Sequence, residues 1–102
     1  MKRLAERIQR IGLVGNADKP ACARVVAQAA KLIAVAGREV VADTATGRHA
    51  RLRTRLCPDA AALAREVDLL LVFGGDGSML RVAREIAGSN TPMRGINIGG
   101  LA

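Results

Sequence analysis

The sequence has almost no aromatic residues: among its 102 residues there is one Phe and neither Tyr nor Trp. Half of the residues are nevertheless hydrophobic, so a folded core has to be built from Val, Leu, Ile and Ala. Aliphatic residues of this kind are typical of parallel strands that are buried between layers of helices. Because the length fits one small domain, the composition predicts an α/β domain with an aliphatic core.

The sequence also has few cysteines and no long apolar run. No stretch approaches the roughly 20 apolar residues of a membrane span. The start, MKRLAERIQR, lacks the apolar segment of a secretory signal. Cys22 and Cys57 have neither a paired-ligand spacing nor a cluster of histidines beside them. We therefore expect two free, partly buried thiols, no zinc site, a cytoplasmic location and no membrane partner.

Acidic residues are scarce relative to basic ones: 16 Lys and Arg oppose 9 Asp and Glu, which gives a net charge of +7. This excess favours anionic partners but does not distinguish a nucleotide from a nucleic acid. The most basic segment, RHARLRTR at 48–55, contains no aromatic residue for base stacking. We interpret it as a solvated, partly mobile loop. Nucleic acid is not expected as a partner, and His49 alone is not expected to bind a metal.

The hydrophobic pattern predicts alternating strands and helices. Cys22 falls on the apolar stripe of a helix that Pro20 begins and Gly37 ends, so we expect its side chain in the core. Residues 44–58 have no periodicity and are predicted to be irregular. The order of elements predicts an α/β fold, an open parallel sheet with helices on both faces. The predicted strands are 8–15, 38–43, 68–73 and 94–99, and the predicted helices are 20–36, a short one from 58–59 through 67, and 78–87.

The strongest functional signal is the segment LLLVFGGDGSMLRVARE, in which Gly74, Gly75 and Gly77 surround Asp76 between a predicted strand and a helix. Ligands bind beyond the carboxyl ends of parallel strands, and glycines let the backbone approach a phosphate closely. Asp76 would repel phosphates, so we expect it to contact a hydroxyl, by hydrogen bond or as a base, or a divalent metal. The alternative is a glycine-rich turn in which Asp76 caps a helix that begins near Ser78.

Two better-known phosphate-binding motifs are excluded by the same segment. A P-loop requires Gly-Lys followed by Ser or Thr, and no glycine of this sequence is followed by such a pair. The dinucleotide fingerprint GxGxxG would begin at Gly75, but Leu80 stands at its third glycine.

GGDGSMLRVARE followed by PMRGINIGGLA resembles the NAD kinase family, which has a GGDG motif and then a P-x-x-G-I-N-x-G-x-L-G-F segment. The first strand with GNADKP also resembles that family's opening strand and loop, so the resemblance covers essentially the whole chain. The sequence departs from the family pattern in having Ser78 for the commoner Thr, Gly100 where Arg is common, and Ala102 for the usual Gly. None of these departures touches the chemistry that the resemblance implies.

The resemblance implies that residues 1–102 are the N-terminal domain of an NAD kinase, with a Rossmann-like or phosphofructokinase-like fold. In the family, a second, β-rich domain supplies an Asn-Glu or Asn-Asp motif and much of the NAD pocket. Because the chain stops directly after an apolar strand, we expect that domain to be missing here. We accordingly expect little or no kinase activity from these residues alone, and an exposed apolar surface where the second domain would pack.

The implied reaction is phosphoryl transfer from ATP, or in some members inorganic polyphosphate, to the 2′-hydroxyl of the adenosine ribose of NAD. By the resemblance, Asp76 is the catalytic base, and Gly75, Asp76, Gly77 and Arg81 contact NAD. A divalent metal, Mg²⁺, would accompany ATP, and the full-length protein is expected to be a homo-oligomer. Arg81 has the alternative of a helix-surface ion pair with Glu85.

Three further possibilities stay open at this stage. Asn16 and Lys19 follow the first strand and either approach the phosphoryl donor or form an ordinary polar loop. The GGDG motif also occurs in diacylglycerol and sphingosine kinases and in phosphofructokinases. The excess of basic residues is compatible with a non-catalytic α/β module that binds nucleotide or nucleic acid.

Overall fold

The computed structural model of the chain describes residues 4–98, which form one five-stranded sheet. All strand pairs are parallel, and the strand order is β3-β2-β1-β4-β5. The predicted open parallel sheet is confirmed. The strands are β1 (Arg10–Gly15), β2 (Glu39–Asp43), β3 (Arg55–Cys57), β4 (Leu69–Gly74) and β5 (Met93–Asn97).

Helices cover both faces of the sheet, as the hydrophobic pattern predicts. Residues of α2 pack on one face, and residues of α4 and α5 pack on the other. None of the helices within residues 4–98 has the length and apolar character that crossing a membrane requires. The helices are α1 (Leu4–Arg7), α2 (Pro20–Val35), α3 (Thr44–His49), α4 (Ala60–Glu66) and α5 (Asp76–Glu85).

The core is aliphatic on both faces of the sheet. The one aromatic side chain, Phe73, lies fully buried on the α2 face together with Cys22. Cys57 is buried on the opposite face, and both cysteines are free thiols. The predicted core position of Cys22 is confirmed, whereas both thiols are more deeply buried than the partial burial expected of them.

The segment 44–58 is the part of the fold that the sequence-based prediction misses. It is not irregular: it contains α3 and the edge strand β3. Its anchor is Thr46, which is 2% exposed and whose Oγ1 accepts a hydrogen bond from the Gly15 N–H at 2.9 Å. Six helical residues with a glycine among them, and three strand residues, are too few to show a hydrophobic period. The arginines of 48–55 are exposed, as expected. Arg48 belongs to α3 and Arg55 to β3, whereas Arg51 and Arg53 lie in the short connection between these two elements.

The bounds of several elements also differ from the prediction by one or two residues. Helix α5 begins at Asp76 rather than near Ser78, because the chain turns directly from β4 into the helix with Gly75 at the N-cap. Strand β5 ends at Asn97, and the predicted end of that strand at residue 99 lies outside the described residues.

Candidate functional site

The GGDG motif lies where the order of the sheet reverses. From β1 the chain proceeds through β2 to β3 on one side, and β4 and β5 then continue on the other side of β1. The carboxyl ends of β1 and β4 are therefore neighbours at a topological switch point, where open parallel sheets bind ligands. The segment after β1 is the GNADKP loop, and the segment after β4 is GGDG.

The three glycines of the motif have different structural surroundings. Gly74 has φ +151°, and a Cβ at this position would lie 2.4 Å from Ser78 Oγ. Both the backbone and the close approach of Ser78 therefore require glycine at 74. A Cβ at Gly75 or Gly77 would meet no atom within 4 Å, and neither residue has a positive φ. The described fold thus gives no steric reason for glycine at 75 or 77.

Asp76 occupies the first turn of α5 and is not its cap. The N-cap is Gly75, and no side chain caps this helix end. The alternative in which Asp76 serves as a side-chain cap is therefore wrong. The first-turn N–H groups have no intrahelical acceptors, and together with the helix dipole they favour an anion at this end of the helix.

Two open grooves flank the N-terminus of α5, and Gly75 lines both. The groove toward β5, called here the β5-side groove, has a volume of about 150 Å³. The groove toward the loop after β1, called here the β1-side groove, has a volume of about 350 Å³. The β5-side groove is lined by Gly74, Gly75, Asp76, Met79, Gly95, Ile96 and Asn97, and the β1-side groove by Asn16, Asp18, Lys19, Gly75, Gly77, Ser78 and Arg81.

The structure separates two side chains that the resemblance assigns to one ligand. Asp76 lines the β5-side groove and Arg81 the β1-side groove, because five helical positions rotate a side chain by about 140°. Arg81 also forms an ion pair with Glu85, with Nη1 and Oε1 2.8 Å apart. About half of the Arg81 side chain is exposed, so the pair is of the weak surface type.

The loop after β1 brings Asn16 and Lys19 to the β1-side groove. Asn16 Oδ1 accepts a hydrogen bond from the Asp18 N–H at 2.9 Å, which fixes the turn locally. The ring of His49 lies 3.2 Å from the carbonyl oxygen of Lys19, through Nε2. Asn16 therefore has a structural role in the loop, while Lys19 adds a positive charge to the groove.

Sequence reasoning missed two polar residues at the same edge of the sheet. Asn97 ends β5 and lines the groove that contains Asp76. Asp43 ends β2, and its Oδ1 is buried without a hydrogen-bond partner among the described residues. Burial raises the pKa of the Asp43 carboxyl, although the polar groups of Thr46 and the charge of Arg81 oppose this. Their position could have identified both residues from the sequence, because each is the last residue of a parallel strand and ligands bind at that edge of the sheet.

The buried cysteine beside this edge is not a reactive group. Cys57 Sγ donates a hydrogen bond to Glu66 Oε2 at 3.1 Å. Burial, followed by that hydrogen bond and the negative charge of Glu66, raises the pKa of the Cys57 thiol to about 11. A thiol with this pKa is protonated at neutral pH and is a poor nucleophile and metal ligand.

Within residues 4–98 there is also no group of three or more His, Cys, Asp or Glu side chains placed to hold a metal.

Comparison with known proteins identifies the family to which the chain with these grooves belongs. The family model described as the ATP-NAD kinase N-terminal domain matches residues 11–102, which is most of the chain. The chain belongs to the NAD kinase family. The GGDG segment and both grooves lie within the matched region.

Individual relatives within the NAD kinase family are similar over nearly the whole chain. An NAD kinase of Methylibium petroleiphilum is 38% identical over 98 residues, covering 96% of this chain. An NAD kinase of Burkholderia thailandensis is 37% identical over 101 residues, covering 97%. In both cases the match covers 33% of the relative, so the chain spans about a third of these proteins.

A solved structure shows the same fold. The crystal structure of yeast NADH kinase complexed with NADH superimposes with a TM-score of 0.77 and 13% sequence identity. The superposition covers 93% of this chain and 33% of the yeast chain. It supports the α/β architecture of the NAD kinase N-terminal domain independently of the sequence match.

Proposed function

We propose that the protein carrying this chain transfers a phosphoryl group to the 2′-hydroxyl of the adenosine ribose of NAD, forming NADP. The donor is ATP or inorganic polyphosphate. The observation that carries this proposal is the pair of sterically unexplained glycines, Gly75 and Gly77, on either side of Asp76 at the switch point of the sheet. Family membership adds the class of reaction and the acceptor.

Glycine at 75 and 77 leaves free a space that a side chain would occupy. Within the described residues, a Cβ at 75 or 77 would project into open space. Glycine in a helix is less stable than alanine by about 0.5–1 kcal/mol, so Gly77 is costly without a compensating role. A ligand that lies against the backbone supplies that role. The dinucleotide phosphates are suited to it, because the first-turn N–H groups of α5 and the helix dipole favour anions.

Asp76 acts as the base in this proposal. Its carboxylate takes the proton of the ribose 2′-hydroxyl while the hydroxyl oxygen forms a bond to the terminal phosphorus of the donor. The bond between that phosphorus and its bridging oxygen breaks, and the shortened donor leaves with the electron pair. Asn97 lines the same groove, and in this proposal its side-chain amide hydrogen-bonds the ribose. General-base catalysis of this kind contributes about 10²–10⁴-fold to a rate.

The β1-side groove supplies positive charge for phosphates. Lys19 and Arg81 line it together with the backbone of Gly75 and Gly77. Arg81 can exchange its exposed contact with Glu85 for a phosphate, because a surface ion pair contributes only about 0–1 kcal/mol. We therefore assign Arg81 to phosphate binding, at some distance from the transferred proton.

The residues that line the two grooves are compatible with a metal ion that binds together with the phosphoryl donor, rather than one enclosed by protein ligands. Mg²⁺ in phosphoryl-transfer sites is held chiefly by phosphate oxygens and water, with one or two carboxylates. Asp76 is the carboxylate of the β5-side groove that could take part, and Asp18 lines the adjoining groove. When bound, the ion would neutralise charge on the phosphates.

The remaining contacts to NAD are proposed to come from the rest of the protein. A groove of about 150 Å³ is smaller than the 300–1,000 Å³ of typical small-molecule pockets. Because the chain spans about a third of its relatives, we expect residues 1–102 alone to have little or no kinase activity.

The deciding experiment is a coupled assay of NADP formation by the full-length protein and its Asp76→Asn variant. We expect kcat to fall by about 100-fold or more, with little change in the dissociation constant for NAD, because the base is lost and the shape is kept. Asp59→Asn, the same replacement at the start of α4 and outside both grooves, is the matched control and should retain activity. An Asp76→Asn enzyme that keeps near-normal kcat would refute the assigned role.

A substrate panel tests the reaction class separately from the role of Asp76. Full-length protein is offered NAD, diacylglycerol and fructose 6-phosphate with ATP, and then NAD with inorganic polyphosphate. We expect phosphorylation of NAD alone. Turnover of the lipid or the sugar phosphate in place of NAD would assign the protein to another kinase that carries GGDG.

A further inference from the structure

A further groove lies on the opposite side of β1 from the GGDG segment. It has a volume of about 480 Å³ and runs between α2 and the chain that connects α3 to β3. Ala30, Ala34 and Leu52 contribute an apolar surface, while Lys31, Arg51 and Arg53 contribute three cations. We call it the cationic groove. It shares no lining residue with the β1-side or β5-side groove.

The three cations of this groove are not neutralised within the described part of the chain. Lys31, Arg51 and Arg53 are exposed, and no carboxylate among residues 4–98 forms an ion pair with them. The one carboxylate that lines the groove, Glu39, is already paired with Arg10 at 3.2 Å. The groove therefore has positive charge available for an external anion.

Arg51 is held in a conformation that arginine disfavours. Its φ is 55°, and it is the one residue other than glycine with positive φ among residues 4–98. The cause is the turn that ends α3: the Leu52 N–H donates to the Gly47 carbonyl oxygen at 2.8 Å, and the Arg51 N–H donates to that of Arg48 at 3.2 Å. This pair of bonds is a Schellman turn, whose left-handed position is usually glycine.

The same turn elsewhere in the chain has the usual residue. At the end of α2 the Arg38 N–H donates to the Ile33 carbonyl oxygen at 3.1 Å, and Gly37 has φ +85°. The left-handed position after α2 is therefore occupied by glycine, whereas the one after α3 is occupied by an arginine that lines the cationic groove. Residues other than glycine in a left-handed conformation cluster at binding sites, where the function of the side chain outweighs the conformational cost.

The geometry points to the cationic groove as a binding site for an organic phosphate of nucleotide size. Guanidinium groups bind phosphate oxygens in a bidentate manner, which matches Arg51 and Arg53 on one wall. The apolar surface of Ala30, Ala34 and Leu52 would cover the organic part of the ligand. The volume falls within the range of small-molecule pockets. The position of the groove beyond β1 makes this site separate from the proposed kinase site.

The test uses the full-length protein and three probes at equal ionic strength: AMP, adenosine and inorganic phosphate. Hydrogen–deuterium exchange read by mass spectrometry follows residues 28–35 and 48–56 separately from 73–82. We expect AMP to protect the first two segments at concentrations at which neither adenosine nor phosphate does, because the site needs both parts of the ligand. Arg51→Gly and Arg53→Gln should each weaken this AMP binding about tenfold or more. Arg65→Gln, the same charge change on α4, should leave it unaltered.

Stability measurements separate loss of binding from loss of folding. Arg51→Gly should raise the melting temperature, since glycine fits the left-handed position, and yet bind AMP more weakly. The proposal is overturned if AMP leaves both segments unprotected, or if the Arg51→Gly, Arg53→Gln double variant is protected as well as the parent. Equal protection by inorganic phosphate would show an unspecific anion surface and overturn it too. AMP protection confined to 73–82 would do the same while leaving the proposed kinase site untouched.

Discussion

At the scale of single residues, the glycines of GGDG differ in why they are glycine. Gly74 is dictated by the fold, because its φ is +151° and Ser78 packs where a Cβ would lie. Gly75 and Gly77 have no such neighbour. At Gly95 a Cβ would lie 2.8 Å from the sulfur of Met79, so alanine there would require the flexible Met79 side chain to move. A sequence motif alone does not separate glycines needed for packing from glycines needed for a ligand.

Gly77→Ala is the substitution that tests this distinction. We expect it to stabilise the protein by about 0.5–1 kcal/mol, because alanine is the better helix former and its Cβ meets no described atom. NADP formation should nevertheless fall, since the Cβ would enter the space proposed for the ligand. Chemical unfolding and steady-state kinetics of the full-length protein measure the two effects.

Gly37→Ala is the control for that experiment. Its φ of +85° makes alanine strained there, so this variant should be less stable and show no specific loss of NAD binding. A Gly77→Ala protein that is destabilised like Gly37→Ala would contradict the ligand-based reason for Gly77.

At the scale of secondary-structure elements, local signals predict long elements and miss short ones. Helix α2 was predicted almost to the residue, since Pro20 begins it and Gly37 ends it. The short helix α4 was also predicted from its start, because Asp59 is a favoured N-cap residue. Helix α3 and strand β3 have no comparable signal, and their stability comes from contacts such as Gly15 with Thr46.

Asp59 offers a direct test of local capping. Its Oδ1 accepts a hydrogen bond from the Ala62 N–H at 2.8 Å at the start of α4. We expect Asp59→Ala to lower the free energy of unfolding by about 0.5–2 kcal/mol. Asp59→Asn should retain most of the stability, because an amide oxygen caps as well. Equal loss in both variants, measured by urea unfolding, would show that the negative charge rather than the cap is what matters.

At the scale of the whole molecule, the sheet brings together strand-end residues that lie far apart in the sequence. The carboxyl edge brings together Gly15, Asp43, Gly74 and Asn97, each the last residue of its strand. The opposite edge is closed by Asp68, whose Oδ2 accepts hydrogen bonds from the N–H groups of Gln9 and Arg10, both at 2.9 Å. The folding equilibrium of the whole chain therefore depends on carboxylates in two contrasting environments.

Large apolar side chains also remain exposed at this scale. Leu32, Val35 and Leu80 are 70%, 80% and 54% exposed. The sequence-based expectation was an apolar surface where a second domain would pack, and that expectation stays a prediction. Leu32 and Val35 belong to α2 and Leu80 to α5, so the exposed residues occur on helices of both faces of the sheet.

The pH dependence of stability should have opposite signs for Asp43 and Asp68. Burial raises the pKa of Asp43, so the unfolded chain ionises first as pH rises above about 3.8, and the folded state loses relative stability. The melting temperature of Asp43→Asn, relative to that of the parent, should therefore be higher at pH 8 than at pH 3. Thermal unfolding by circular dichroism at the two pH values measures the change.

Asp68→Asn is the opposite case. The N–H groups of Arg10 and Gln9 lower the pKa of Asp68, so its contribution is present above about 3.8 and is lost as pH falls through the lower folded pKa. Its variant should be less stable than the parent at pH 8, with a smaller difference at pH 3. Parallel pH trends for the two variants would contradict the assigned environments.

The sequence by itself determined the fold class, the main elements and the motif that carries the family. Aliphatic runs, proline and glycine boundaries and the GGDG segment act over short stretches of chain, so their meaning can be read locally. Only the tertiary structure decided the rest: helix α3 and the edge strand β3, the separation of Asp76 from Arg81, and the places of Asn97, Asp43 and the strained Arg51. These depend on which distant segments become neighbours across the sheet, and no local pattern records that.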